Sequence, residues 1–215
     1  MKSNLTVILG VGILLSGCNF QNQLKDFDYG KVENNKYTNS FFNIVVTLPE
    51  GWKVQSKEQM DNLAKKGEDL ITGDNKDLKR AIKASEINTA NLLGVFQYEV
   101  GAAVDYNPNF MMVAENLIHA PGVKSGSDYL FHVRKYLKQS QVQIDSLDNE
   151  STKVLINGQE FYYMNVVMNY LGYKIKQSYY ATIINDFALS AIISYVSDEQ
   201  KLELEKIVNS MKFKK

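Results

Sequence analysis

The chain has 215 residues, 24 Lys and Arg against 24 Asp and Glu, and a formal net charge of zero. With 45% hydrophobic and 22% charged residues it has ordinary globular composition, and its length suits one domain with a substantial core. No basic block stands out to meet phosphates, so we expect no nucleic-acid partner.

The first residues have the pattern of an export signal. Lys2 supplies a positive start, and the apolar run from Leu5 to Leu15 is too short to span a bilayer. The sequence Leu15-Ser16-Gly17-Cys18 then resembles a bacterial lipoprotein signal, in which the chain is cut before the cysteine and the thiol is diacylated. We predict a signal peptide over residues 1–17 and lipid attachment at Cys18. The alternatives are an ordinary cleaved secretory peptide and an anchoring helix.

Cys18 is also the only cysteine of the chain. Once it is lipidated, no thiol is left for a disulfide, a thiolate metal site or a cysteine nucleophile. The acyl chains on Cys18 would supply the membrane affinity of an extracytoplasmic protein. Asn19, in place of Asp, resembles an outer-membrane-directed lipoprotein if the host is Gram-negative.

Residues 18–36 are rich in Asn, Gln, Asp and Lys and have little apolar periodicity. We interpret them as the lipidated cysteine and a flexible tether. A single globular domain is then expected over residues 37–215.

The first half of that domain predicts a strand, a helical segment and two further strands. Residues 42–48 alternate, and the turn Pro49-Glu50-Gly51 leads to Trp52, which we expect to anchor the core. Ser56 and Gln59 form a capping-box pattern at the start of a helix that is expected to break at Gly67. Strands are predicted over residues 92–100 and 110–118.

The second half begins with a helix from Ser127 or Asp128 to Gln139, followed by a strand over residues 141–147. Residues 152–196 predict a meander of four antiparallel strands. Its two-residue turns are Asn157-Gly158, Leu171-Gly172 and Asn185-Asp186. Ser197 then caps a final helix.

Neither face of the meander is polar. One face carries Val154, Phe161, Tyr163, Val167, Tyr180, Ile184, Phe187, Leu189, Ala191 and Ile193; the other carries Leu155, Tyr162, Met164, Val166, Met168, Ile175, Tyr179, Ile183, Ile192 and Val196. A sheet with one solvated face should alternate apolar and polar residues. We therefore predict an α+β fold with helices on both faces of the sheet.

This order of elements looks like the PsbP/Mog1-like α/β/α sandwich. The opening Phe42-Asn43-Ile44-Val45-Val46-Thr47-Leu48-Pro49-Glu50-Gly51-Trp52 is similar to the first hairpin of that superfamily, and Phe187 to Phe213, closing on Ser210-Met211-Lys212-Phe213, is similar to its ending. The resemblance implies a central, mostly antiparallel sheet covered by helices on both faces. The superfamily includes photosystem II extrinsic subunits, a Ran-binding nuclear protein and many bacterial lipoproteins of unknown role, the DcrB/PsbP-like group among them. The resemblance implies a non-enzymatic scaffold or binding module. No binding residue of those relatives can be matched to a position in this sequence.

The sequence is poor in catalytic groups. A metal site would need the two histidines, His119 and His132, to meet carboxylates such as Glu115 and Asp128, whereas a lone histidine is usually a satisfied surface or core residue. There is no Gly-x-Ser-x-Gly and no phosphate-cradling loop. We assign no catalytic residue, metal ligand or cofactor.

Tyrosine is the unusual residue, with 13 copies. Seven crowd the meander: Tyr162, Tyr163, Tyr170, Tyr173, Tyr179, Tyr180 and Tyr195. They suit a binding surface, but their distribution over both faces favours packing.

Three functions follow as hypotheses. The leading one is a lipid-anchored binding or accessory module of the bacterial cell envelope with a protein or envelope partner. The second is an envelope hydrolase or metal-dependent enzyme with a site near His119, His132 and the loops 105–109 and 119–127. The third is an accessory subunit whose exposed tyrosines dock on a larger membrane complex.

Overall fold

The structure, a computed structural model, describes residues 27–86 and 88–214. The four helices are α1 (Lys57–Thr72), α2 (Lys76–Glu86), α3 (Gly126–Gln139) and α4 (Asp198–Ser210). The strands are β1 (Lys31–Glu33), β2 (Lys36–Asn39), β3 (Ile44–Thr47), β4 (Lys53–Val54), β5 (Thr89–Phe96), β6 (Asn109–Asn116), β7 (Gln143–Leu147), β8 (Thr152–Ile156), β9 (Gln159–Tyr170), β10 (Tyr173–Ile184), β11 (Phe187–Tyr195) and β12 (Lys212–Phe213). Cys18 and the predicted signal peptide lie outside the described residues.

The strands form two sheets. The large sheet has the order β4-β5-β6-β11-β10-β9-β7, and β8 also pairs with β9. The small sheet has the order β1-β2-β3-β12. The pairings of the described strands are antiparallel throughout. Residues 27–86 and 88–214 thus form an α+β fold with four helices and two sheets, where the sequence predicted one sheet.

The meander of β8 to β11 has the predicted register. Its three turns are enclosed by the pairs Ile156–Gln159, Tyr170–Tyr173 and Ile184–Phe187. Both central residues of each turn have φ between 48° and 86°, as a type I′ turn requires. The assignment of residues to faces follows from this register. Leu155 differs, because β8 is an outer strand and its side chain is 67% exposed.

Both faces of the large sheet are buried. One core lies between a sheet face and helices α1, α2 and α3, and includes Leu130 and Val133 of α3 against Met164 and Tyr179 of the sheet. The second core lies on the other face, beneath α4 and the inner side of the small sheet. The small sheet therefore takes a place on the second face that the sequence assigned to helices alone.

Helix α3 approaches the sheet closely at its first residue. A Cβ on Gly126 would lie 2.1 Å from the carbonyl oxygen of Ala181 on β10. Ser125 caps the helix, and its Oγ accepts from the backbone N–H of Asp128 at 3.2 Å. The glycine and the cap together let the helix N-terminus rest on sheet backbone.

Two predicted boundaries are wrong. Helix α1 continues through Gly67, which is buried, and ends at Gly73 with φ 42°. The tertiary packing of α1 outweighs the local cost of a helical glycine, about 1 kcal/mol. Of the predicted tether, residues 27–36 are packed and contribute β1 and the start of β2. The packed part of the chain thus includes residues before Tyr37.

None of the helices in residues 27–86 and 88–214 combines the length and hydrophobicity that crossing a membrane requires.

Candidate binding site on the small sheet

The small sheet begins with a hairpin in the segment that the sequence assigned to the tether. Asn34 and Asn35 have φ of 50° and 56°, and the pair Glu33–Lys36 encloses them. Asparagine tolerates this left-handed conformation, so two consecutive asparagines form a type I′ turn without glycine.

The two faces of this sheet differ sharply. Because paired residues of antiparallel strands share a face, the rows Lys31–Thr38–Val45–Lys212 and Glu33–Lys36–Thr47 form the outer face. The inner face carries Tyr37 and Val46, which are at most 1% exposed and belong to the second core. The outer face is left for solvent or a partner.

Asp28 fastens the chain before β1 to this sheet. Its Oδ1 accepts from the N–H of Gly30 at 2.7 Å, and its Oδ2 accepts from the N–H of Ser40 at 2.6 Å and the Oγ of Ser40 at 2.5 Å. Hydrogen bonds from Ser40 hold the pKa of Asp28 below its usual value. The side chain of Asn39 adds a bond from Nδ2 to the carbonyl oxygen of Asp28 at 2.7 Å.

Phe27 anchors the same segment through aromatic contacts. Its ring centroid lies 5.5 Å from that of Phe187 at the start of β11, and 5.3 Å from that of Phe41. Phe42 packs against Phe187 in turn, at 5.7 Å. Each such pair contributes about 0.5–1.5 kcal/mol beyond its buried area. Phe27 is therefore fixed against the rest of the fold.

A pocket of about 470 Å³ opens across the outer face beside Asp28. Seven of its ten lining residues have polar or charged side chains; the lining comprises Asp28, Gly30, Lys31, Thr38, Asn39, Ser40, Asn43, Ile44, Val45 and Lys214. Lys214 is held there by its backbone N–H, which donates to the carbonyl oxygen of Asn43 at 2.8 Å. Residues near both ends of the described chain thus form one pocket.

The charge around the pocket favours anions. Lys31 pairs with Glu33 at 3.0 Å, but both side chains are about two-thirds exposed, and such a pair holds little energy. Within the described ranges, Lys36, Lys212 and Lys214 form no ion pair. Together with hydroxyl and amide groups, the ammonium groups of Lys31 and Lys214 are suited to a phosphate or carboxylate.

The structure does not assemble the histidine site. His119 is exposed, whereas His132 is half-buried on α3. The carboxylate of Asp128 accepts from the backbone N–H groups of Lys124 and Ser125 at 3.0 and 2.9 Å, so it caps the helix. Over residues 27–86 and 88–214, no three His, Cys, Asp or Glu side chains are grouped to hold a metal ion.

Glu115 lies elsewhere, in the core beneath α3. It is 2% exposed, and its Oε2 accepts from the hydroxyl of Tyr129 at 3.1 Å. A second polar chain crosses the same core, in which Tyr179 donates to Gln177 at 2.7 Å and Gln177 donates to Ser194 at 3.0 Å. These groups satisfy one another inside the fold.

The tyrosines of the meander are packing residues. Tyr179, Tyr180 and Tyr195 are buried, and the other four, Tyr162, Tyr163, Tyr170 and Tyr173, are half-buried. Tyr163 and Tyr180 stack at 5.7 Å on the second face. The described structure therefore offers no exposed surface built from these seven residues.

Sequence reasoning missed the pocket residues. Asp28 and Lys31 lie within the predicted tether, and Lys214 lies in a part of the chain where the sequence predicts only a final helix. The one local signal was Asn34-Asn35 between Val32 and Tyr37, which has the form of a short hairpin.

No protein-family model matches the chain, and no curated protein does. Several solved structures, however, match the chain. The solution structure of cyanobacterial PsbP (CyanoP) from Synechocystis matches with a TM-score of 0.50 and 9% identity, over 86% of this chain and 98% of that one. A similarity at this identity concerns the fold, and shows that the chain has a PsbP-like fold.

Two further structures are more distant. LpqN, described as involved in cell envelope biogenesis of Mycobacterium tuberculosis, matches with a TM-score of 0.46 and 11% identity over 78% of this chain and 81% of its own. A protein from Bacteroides thetaiotaomicron matches with a TM-score of 0.44 and 12% identity over 86% of this chain. The match spans half the length of the Bacteroides protein.

Proposed function

We propose that this chain is a lipid-anchored, extracytoplasmic binding module of a bacterial envelope, built on the α/β/α sandwich of PsbP/Mog1-like domains and without catalytic activity of its own. The observation that carries the proposal is the pocket beside Phe27, which is nine residues after Cys18 in the sequence. A pocket at that place is held close to the surface to which acyl chains on Cys18 would attach the protein.

The lipid anchor is supported by Lys2, the short apolar run and Leu15-Ser16-Gly17-Cys18. The PsbP-like fold is compatible with a binding module, since it is built around packed sheets and helices. The non-enzymatic role is supported by the engagement of the candidate acids: Asp128 caps α3, and Glu115 is bound by Tyr129.

The anchor is tested by replacing its only thiol. In cells that receive an alkyne-bearing fatty acid, the wild-type protein should incorporate the label and sediment with membranes. Cys18→Ser should lose the label, whereas Gln21→Ser should keep it as the wild type does. A label retained by Cys18→Ser would refute the anchor.

The binding role is tested by placing a photo-cross-linking residue in the pocket. Thr38 lines the pocket, and Leu202 on α4 is a matched control because its side chain is 61% exposed. Irradiation of intact cells should give a discrete adduct from position 38 that position 202 does not give. Equal adduct patterns from both positions would contradict a binding role for the pocket.

A further inference from the structure

The outer face of the small sheet is positively charged, although the net charge of the whole chain is zero. It carries Lys31, Lys36, Lys212 and Lys214, which we call the basic face, against Glu33 on the same face and Asp28 at its edge. The sum is +4 − 2 = +2, whereas the whole chain sums to zero. This separation gives the domain one side that is attracted to anions.

We propose that the basic face docks on the anionic lipid headgroups of the membrane that carries the acyl chains of Cys18. The inference rests on the proposed function, because it takes the anchor as given, and it deepens it by naming the surface that the module meets. The pocket then receives a headgroup phosphate, between the ammonium groups of Lys31 and Lys214 and beside the hydroxyl of Thr38.

The short path from Cys18 to Phe27 favours the membrane as the binding partner over a partner that lies far from the membrane. The path from Cys18 to Phe27 is 27 − 18 = 9 residues, which span at most about 32 Å whatever their conformation. Phe27 is fixed to Phe187 and Phe41, so the pocket cannot be carried further by a loose segment. The basic face is therefore confined near the bilayer.

The shape of the basic face also supports docking on a membrane. Four strands present Lys31, Thr38, Val45 and Lys212 in one continuous row. An extended sheet face with lysines of long reach suits a broad layer of headgroups. Attraction at such a layer falls off within the Debye length, about 8 Å at physiological salt, so only a face that makes contact gains from it.

The test uses the full chain carrying Cys18→Ser, so that no acyl chain contributes. Binding is measured to vesicles of phosphatidylglycerol and phosphatidylcholine in equal parts, and to vesicles of phosphatidylcholine alone. The apolar run of residues 5–15 is present in every variant. Any membrane affinity that it adds is measured on the phosphatidylcholine vesicles. We expect preferential binding to the anionic vesicles that weakens as sodium chloride is added.

The quadruple variant Lys31→Gln, Lys36→Gln, Lys212→Gln and Lys214→Gln removes the basic face. At about fivefold per lysine, it should lower the anionic-vesicle partition coefficient by about six hundredfold. The matched control removes four exposed lysines from α1 and α2: Lys65→Gln, Lys66→Gln, Lys76→Gln and Lys83→Gln. It should retain most of the binding. Equal loss in both variants, or no preference by the parent chain, would overturn the proposal.

A second measurement does not depend on removing the face. Because Cys18→Ser leaves no cysteine, a polarity-sensitive fluorophore can be attached at Lys36→Cys or, as control, at Lys65→Cys. Anionic vesicles should shift the emission at position 36 to the blue and leave position 65 unchanged. The opposite pattern would place another surface on the membrane.

Free phosphate is distinguished in the same assay. Sodium phosphate should weaken vesicle binding more than sodium chloride of equal ionic strength, because free phosphate competes with the headgroup phosphate for the pocket. Phosphate that protects the parent chain against thermal unfolding, while anionic vesicles are not preferred, would assign the pocket to a soluble anion and overturn membrane docking. Loss of the fatty-acid label in Cys18→Ser is a separate readout, so failure of the anchor and failure of the basic face can be told apart.

Discussion

The hydroxyl of Tyr129 on α3 donates to Oε2 of Glu115 on β6 at 3.1 Å, and both side chains are at most 2% exposed. This bond joins the helix to the sheet by a polar contact inside an apolar core. Tyr129→Phe keeps the ring and removes one donor to a buried carboxyl group. We expect it to lower the free energy of unfolding by about 1–3 kcal/mol.

Urea denaturation followed by circular dichroism measures this loss. Phe131→Tyr on the same helix is the matched control, because residue 131 is 60% exposed and a hydroxyl there meets solvent. A loss at position 129 no larger than at position 131 would mean that the bond contributes nothing to stability.

Five buried tyrosines should make the protein sensitive to alkali. Burial raises the pKa of Tyr37, Tyr106, Tyr129, Tyr179 and Tyr180 above the usual value near 10. A raised pKa in the folded state favours the protonated form, so the stability is fully present below about pH 10 and is lost as the pH rises above it. Each tyrosine contributes a slope of up to about 1.4 kcal/mol per pH unit.

Urea denaturation at several pH values on both sides of pH 10 checks this slope. Tyr179→Phe removes one titrating group and should reduce the slope by the share of one tyrosine. Stability that is independent of pH across this range would show that the phenols reach solvent before the protein unfolds.

Replacing Gly126 by alanine should destabilise the protein, although helix propensity favours alanine. Alanine is better than glycine in a helix by about 1 kcal/mol, but its Cβ at position 126 would lie 2.1 Å from the carbonyl oxygen of Ala181. We expect Gly126→Ala to destabilise the protein by about 1–3 kcal/mol, because α3 must move off the sheet. Thermal unfolding detects the change. Gly122→Ala is the control, since nothing lies within 4 Å of a Cβ there, and a tolerated alanine at 126 would contradict the close approach.

Asn157 should matter more than its position in a turn implies. Its Nδ2 donates to the carbonyl oxygens of Asn209 at 2.7 Å and Met211 at 2.8 Å, where α4 ends. Asn157→Ala removes both bonds and places alanine at positive φ, so we expect a loss of about 1–3 kcal/mol in unfolding free energy. Leu171 occupies the same position of the next turn with φ 49° and is 61% exposed. Leu171→Ala should therefore change stability by less than about 0.5 kcal/mol, and equal losses would show that the cap contributes nothing.

The meander was predictable because its chemistry is local. Asn157-Gly158 and Asn185-Asp186 suit the left-handed conformation, and a two-residue turn fixes the register of the strands beside it. Helix starts were predictable for the same reason, since Ser56 and Gln59 form the expected reciprocal bonds. In both cases a few adjacent residues determine the structure.

The small sheet and its pocket were not predictable in this way. β1 and β2 supply only two apolar side chains, those of Val32 and Tyr37, to the inner side, which is too few for a clear alternation. The last strand of the small sheet, β12, pairs Lys212 with Val45, which is far away in the sequence. Sequence patterns report neighbours within a segment, whereas this pocket depends on segments that meet only in the folded protein.

The position of β12 has a consequence for the order of folding. Lys212 pairs with Val45, and Lys214 donates to Asn43, so the wall of the pocket is completed by residues that leave the ribosome after the other described strands and helices. The early segments must wait for this late strand, because a contact of such long sequence separation closes a large loop. A growing chain would thus be unable to bind in its pocket until β12 has emerged and paired with β3.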